Sequence, residues 1–241
     1  QYILIIGSIV ALVFLAVAGN EKRAAAGLTR QNWKSAVLIV LAFVGIYIVR
    51  TVVSVAVQGV SDGSGMQYVK EWAAMFKNPM MWLNIAALPI NYFFVFIAFF
   101  GEEYGWRYYL QPVLQKRFGL RAGVIILGVV WGLWHIPDDL FYYTQTSGIQ
   151  MIFAQQITCI SLGIFFAYAY MKTQNIWVPV CLHYLNNNLI PIISGTFSAD
   201  VLENQTVSWK DLPVALVLNG LCFGFFLLAD VFKKKEVQEE E

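Results

Sequence analysis

Two adjacent carboxylates and a guanidinium, in Gly101-Glu102-Glu103-Tyr104-Gly105-Trp106-Arg107, stand at the end of an otherwise apolar run. A carboxylate at membrane depth costs about 2.5–3.5 kcal/mol on insertion scales, so its presence points to function and to a partner. Glu103 and Arg107 are four apart and share a helix face, whereas Glu102 is turned roughly 100° from Glu103. The spacing predicts that Glu103 and Arg107 neutralise each other. Glu102 is then left for chemistry.

The chain has two histidines, and both lie in apolar surroundings: His135 in Trp131-Gly132-Leu133-Trp134-His135, and His183 in His183-Tyr184-Leu185-Asn186-Asn187. His183 and Asn187 are one helical turn apart and face the same side. A single buried histidine is most simply a packed core residue. Both occurring this way, in a chain that also carries the glutamate pair, favours a shared site. One acid, two imidazoles and an amide suit hydrolysis. Glu102 and His135 would take a proton from water, and His183 and Asn187 would donate to the oxyanion formed at the attacked carbonyl. A zinc version uses Glu102, His135 and His183 as ligands with an open fourth position, and makes Glu103 the base. Asn187 is a poor zinc ligand, so the version without a cofactor is preferred and zinc stays as the alternative.

These residues must be positioned by membrane helices. The 241 residues are 59% hydrophobic and 13% charged, and several apolar runs are long enough to cross ~30 Å of hydrocarbon. The expected fold is all-α: a polytopic transmembrane helix bundle forming a single domain over 1–241, with a catalytic core at about 90–195. Seven spans are expected near 2–19, 35–58, 82–104, 121–136, 150–171, 177–194 and 212–232, or eight if one precedes Gln1. A short interfacial helix is expected around 68–76. The net charge of +1 gives no sign of a nucleic-acid partner. Cys159, Cys181 and Cys222 fall inside apolar runs, so no disulfide is expected.

Lys22, Arg23, Arg30, Lys34, Arg107, Lys116, Arg117, Arg121, Lys172 and Lys233 to Lys235 all follow odd-numbered spans. The positive-inside rule puts those connections and the C-terminus in the cytoplasm. If the third and fourth spans form a hairpin turning at Phe118-Gly119, Glu102 and His135 are level, each ~25 Å along its helix from the turn. Pro179 and Pro191 should confine the helix of His183 and Asn187 to a short piece. Asp138 and Asp139 read as residues at an outer helix end, with Asp139 placed to orient the His135 ring if the helix survives Pro137.

Glu-Glu-x-x-x-Arg at 102–107, aromatic-x-x-x-His at 131–135 and His-x-x-x-Asn at 183–187, in this order on three spans, resemble the motifs of the CPBP family. This family comprises CAAX proteases and bacteriocin-processing enzymes and includes the type II CAAX prenyl proteases. The resemblance covers about residues 90–195. Trp131 stands where the family often has Phe. The resemblance implies a multi-pass intramembrane endopeptidase, glutamate-dependent or a zinc metalloprotease. Glu102 and His135 would activate water, and His183 and Asn187 would serve as oxyanion donors. It also implies a cavity open towards the cytoplasm and, as partners, membrane lipid and a peptide or protein substrate, lipidated or not. A second reading, a transporter, immunity or scaffold protein with a buried Glu/Arg/His/Asn network, makes the same residues structural or a proton relay.

Overall fold

A computed structural model describes residues 30–63, 65–194 and 199–233, together with residues 9, 10, 13, 16, 17, 19, 21, 22 and 26–28. The described residues are mostly helical, with no strand among them. In chain order the helices are α1 (Trp33–Asp62), α2 (Gly65–Met75), α3 (Pro79–Glu103), α4 (Gln111–Phe118), α5 (Leu120–Trp134), α6 (Ile136–Phe141), α7 (Gly148–Thr173), α8 (Trp177–Ser194), α9 (Ala199–Glu203) and α10 (Asp211–Cys222). A π-helical segment, Tyr104–Leu110, joins α3 to α4, and two 3₁₀ turns, Gly224–Leu228 and Asp230–Phe232, follow α10. Most of the expected first span, 2–19, lies outside the described residues, as does the acidic tail.

Four stretches among the described residues are long and apolar enough to cross a membrane: Trp33–Val57, Pro79–Phe118, Leu120–Phe141 and Gly148–Thr173. They coincide with the second to fifth expected spans. Their outer faces are apolar, with Leu38, Val49, Ile90, Phe93 and Phe94 all exposed. Such a surface suits lipid and would drive association in water. The protein is an all-α integral membrane bundle.

Three expectations need correction. The sixth span is not confined by its prolines, because α8 is 18 residues long and contains Pro191. It is not among the four long apolar spans, and its His183 and Asn186 to Asn188 dilute the hydropathy. The seventh span is not continuous: α10 ends at Cys222, and the chain goes on in 3₁₀ turns. Arg107 does not belong to a basic connection, since it is fully buried. The hairpin does turn at Gly119, whose φ of 90° favours glycine. A short helix also forms near the expected 68–76, as α2.

The core is aromatic. Phe43 and Tyr47 of α1, Trp131 of α5, Phe165 and Phe166 of α7 and Phe223 form one buried cluster. Its ring pairs are tilted, stacked or edge-on at centroid separations of 4.9–6.0 Å. Such pairs add about 0.5–1.5 kcal/mol each beyond burial. Helix α5 approaches α7 through Gly128, where a Cβ would come within 2.7 Å of the Ile160 Cα, and through Gly132, where it would strike the Gln156 amide at 2.6 Å. Gly128 and Gly132 form a Gly-x-x-x-Gly pair, a motif that lets membrane helices approach closely. This brings the Trp131–His135 turn against α7.

Candidate active site

Glu103 ends α3 and is fully buried. Its Oε2 accepts from Arg107 Nε at 2.8 Å, as the spacing predicted. Its Oε1 accepts from His183 Nδ1 at 2.9 Å, a contact across eighty residues that the spacing did not foretell. Arg107 Nη1 donates to the Gly163 carbonyl at 3.2 Å, and its guanidinium lies 5.4 Å from the Trp131 ring and 5.5 Å from the Phe166 ring. A buried ion pair survives where further hydrogen bonds compensate its desolvation, and the carboxylate here has a partner on each oxygen.

The π segment is the local reason this pair sits on a widened turn. Pro112 has no N–H to give the Tyr108 carbonyl, and an unrelieved α-helix would press its ring on that carbonyl. The backbone opens instead, with Gln111 N–H bonding the carbonyl of Trp106 five residues back. Single π turns inside α-helices recur at functional sites. Pro112 was the available sequence signal for it.

His135 caps α5 where the helix breaks before Pro137. Its Nδ1 donates to the Trp131 carbonyl at 2.8 Å and lies 3.8 Å from the Cys159 thiol. A neutral ring with this bond carries its lone pair on Nε2. His183 is oriented by the bond from its Nδ1–H to Glu103, which leaves Nε2 for a ligand. Both rings stand edge-on to the Trp131 indole, His183 at 5.5 Å and His135 at 5.8 Å between centroids. Trp131 is thus the common wall of the buried ion pair and both imidazoles, a role the sequence reading did not assign to it. On α8, Asn187 Oδ1 accepts from Asn186 Nδ2 at 2.8 Å, which leaves the two Asn187 amide hydrogens for a ligand. Tyr47 on α1 in turn donates its hydroxyl to Asn186 Oδ1.

His135, His183 and Asn187 line one cavity of about 640 Å³, with Trp131, Gln155, Thr158, Cys159 and Asn186 in its walls. Asp138, Tyr142, Tyr143, Leu202 and Gln205 also line it. Burial, with the Asp138 and Asp139 carboxylates nearby, pushes the Tyr143 hydroxyl up to about 12, so it stays a neutral donor. Glu102 does not line this cavity. It borders a smaller apolar hollow of about 300 Å³ with Gly101, Gly105, Trp106, Tyr109, Leu110 and Trp134. Three of the four expected residues therefore share a cavity, and the fourth lines a separate hollow.

Asp139 departs from its expected place. It is fully buried, and neither carboxylate oxygen has a hydrogen-bond partner. It does not orient the His135 ring, because Trp131 holds Nδ1. Among the described residues no group of three His, Cys, Asp or Glu side chains is placed to hold a metal ion, so Glu102, His135 and His183 do not form a ligand set. The three cysteines are free.

Residues 83–189 match the family model described as type II CAAX prenyl endopeptidase, Rce1-like. The CAAX prenyl protease 2 of Methanococcus maripaludis is 27% identical over 125 residues, which cover 48% of this chain and 45% of that protein. The match thus spans about half the length of that relative. No solved structure matches.

Proposed function

We propose that the chain is an intramembrane endopeptidase of the kind whose family model residues 83–189 match, and that it hydrolyses a peptide bond in the cavity between α5, α7 and α8. The observation that carries this reading is the convergence of His135, His183 and Asn187 on one cavity, with His183 tied at 2.9 Å to a buried, charge-compensated glutamate. The family match supplies the class of reaction, and the Glu103 carboxylate bonded to His183 alone distinguishes the roles of the two rings.

His135 receives the proton of the attacking water at Nε2, its Nδ1–H being committed to a carbonyl. Glu102 shares this proton. This role requires its side chain to turn out of the separate hollow that it lines, by rotation about its staggered torsions. His183 donates to the developing oxyanion from Nε2 as the imidazolium, which the Glu103 carboxylate on the opposite edge of the ring compensates. Asn187 donates from Nδ2. In an interior of low dielectric each donor is worth more than in water, and loss of one oxyanion donor costs about 10²–10³ in kcat. The zinc alternative draws no support from the donor arrangement, and no step is routed through a metal.

The substrate is a peptide or protein, as the activity named for the archaeal relative suggests, and it is reached within or at the membrane. The basic connections, and with them the C-terminus, face the cytoplasm. The test is cleavage of a quenched fluorescent peptide library by the purified protein in liposomes. Wild type should show cleavage, and His183→Ala and His135→Ala should each reduce it to background. Undiminished cleavage by both variants, each folded as judged by thermal unfolding, would exclude this site.

A further inference from the structure

We propose that Tyr47 and Asn186 are positioning residues, which turn the Asn187 amide so that its N–H groups, and not its carbonyl oxygen, meet the developing oxyanion. This rests on the hydrolase reading, and it draws α1, which lies outside residues 83–189, into the working of the site.

A side-chain amide carries two donor hydrogens on one atom and an acceptor on the other, and a half-turn exchanges them with little change of shape. Turned one way, Asn187 donates to an oxyanion. Turned the other way, it sets its own oxygen against the developing charge. Asn187 is exposed, so packing does not choose between the two. The choice falls to Asn186, whose Nδ2 donates to Asn187 Oδ1 at 2.8 Å. Asn186 is an amide with the same ambiguity. The Tyr47 hydroxyl removes it by donating to Asn186 Oδ1.

The direction of this chain of bonds is set at Tyr47. Among the described residues the bond to Asn186 is the one hydrogen bond that its hydroxyl makes. Reversing both amides would turn the hydroxyl into an acceptor and leave its proton unmet, and an unmet buried donor is costly. The polar group beside it gives no relief. Arg50, whose guanidinium lies 5.8 Å from the Tyr47 ring, has donors only, and its Nε is committed to Asn219 Oδ1 at 2.9 Å. The ring itself is buried and held against Phe43 at 4.9 Å and Phe223 at 5.0 Å between centroids, which fixes where the hydroxyl stands. Asn186 lines the cavity and Tyr47 does not. Any effect of the Tyr47 hydroxyl on a reaction there passes through Asn186.

Tyr47→Phe keeps the packed ring and removes the hydroxyl alone. In liposomes it should lower kcat for a cleaved peptide about tenfold, with KM unchanged and thermal unfolding close to that of wild type. Asn186→Ala should lower kcat by a similar factor, and the double variant by no more than Asn186→Ala alone. A Tyr47→Phe kcat equal to that of wild type overturns the proposal, as do effects that multiply in the double variant, which is what a separate structural role for Tyr47 would give. Orientation is read without turnover by nuclear magnetic resonance of protein carrying isotopically labelled asparagine. The side-chain amide signals of Asn187, identified by their loss in Asn187→Ala, should shift in Tyr47→Phe. Those of Asn188, whose Nδ2 bonds the Tyr184 carbonyl at 3.0 Å, should stay in place. Unmoved Asn187 signals overturn the proposal. Should Tyr47→Phe not fold, Asn186→Ala decides at its half-buried position, an unchanged kcat being the overturning result. Amide signals that behave as expected in a protein that cleaves nothing would sink the hydrolase reading and leave the orientation of Asn187 standing.

Discussion

Glu102 and Glu103 are consecutive residues that occupy two unlike regions of the molecule. Glu103 is sealed between Arg107 and His183, with a hydrogen bond on each oxygen and no exposure. Glu102 is half-buried in an apolar hollow beside Trp106 and Trp134, and none of the hydrogen bonds described above involves it. The difference teaches that one helical step separates a carboxylate built into the scaffold from one left available. The scaffold carboxylate fixes His183 so that only Nε2 remains for a ligand. The available one keeps its rotamer freedom for a reaction.

The sharpest way to break this contrast is Glu102→Gln. It should lower peptide cleavage by about 10²–10⁴-fold, the range for a positioned acid–base group, while the thermal unfolding midpoint in detergent stays near that of wild type. A fall in stability equal to that of a Glu103 variant would erase the distinction. Next comes Glu103→Gln, together with Arg107→Met. Removing one partner of a buried pair leaves an uncompensated charge and costs about 3–5 kcal/mol. Both variants should unfold at clearly lower temperature, and any folded remainder should have lost the fixed His183 ring. Gly128→Ala should cost about 1–3 kcal/mol by overpacking α5 against the Ile160 backbone. Thermal unfolding should register that loss, with cleavage falling because Trp131 moves with α5. The smallest effect is expected from Asp139→Asn. Its carboxyl is buried without a partner, so removing the charge should leave stability unchanged or raise it by about 1 kcal/mol. A large loss would mean that Asp139 belongs with Glu103 in the scaffold.

The pairing of Glu103 with Arg107 was legible because four residues on a helix form a local geometry, and the widened π turn preserved it. The turn at Gly119 was legible for the same kind of reason. So was the shared side of His183 and Asn187, one turn apart on α8. The bond from His183 to Glu103 was not legible, because eighty residues separate them and two apolar helices can meet on several faces. The continuation of α8 through Pro191 and the fracture of the last span at Phe223 also escaped. Proline and glycine mark where a helix is weak, and the neighbours decide whether it breaks.

The amino-acid order by itself determined that this chain lies in a membrane, which ends of its helices carry the positive charge, and which few polar residues must be accounted for inside. Those properties follow from hydrophobicity and charge, which each residue carries with it. Only the packing of α5 against α7 and of α3 against α8 decided that Glu103 became scaffold and that Glu102 faced a different hollow from the histidines. These outcomes depend on which faces meet, and contact between distant helices is set by shape and by the close approach at Gly128 and Gly132, not by any local spacing.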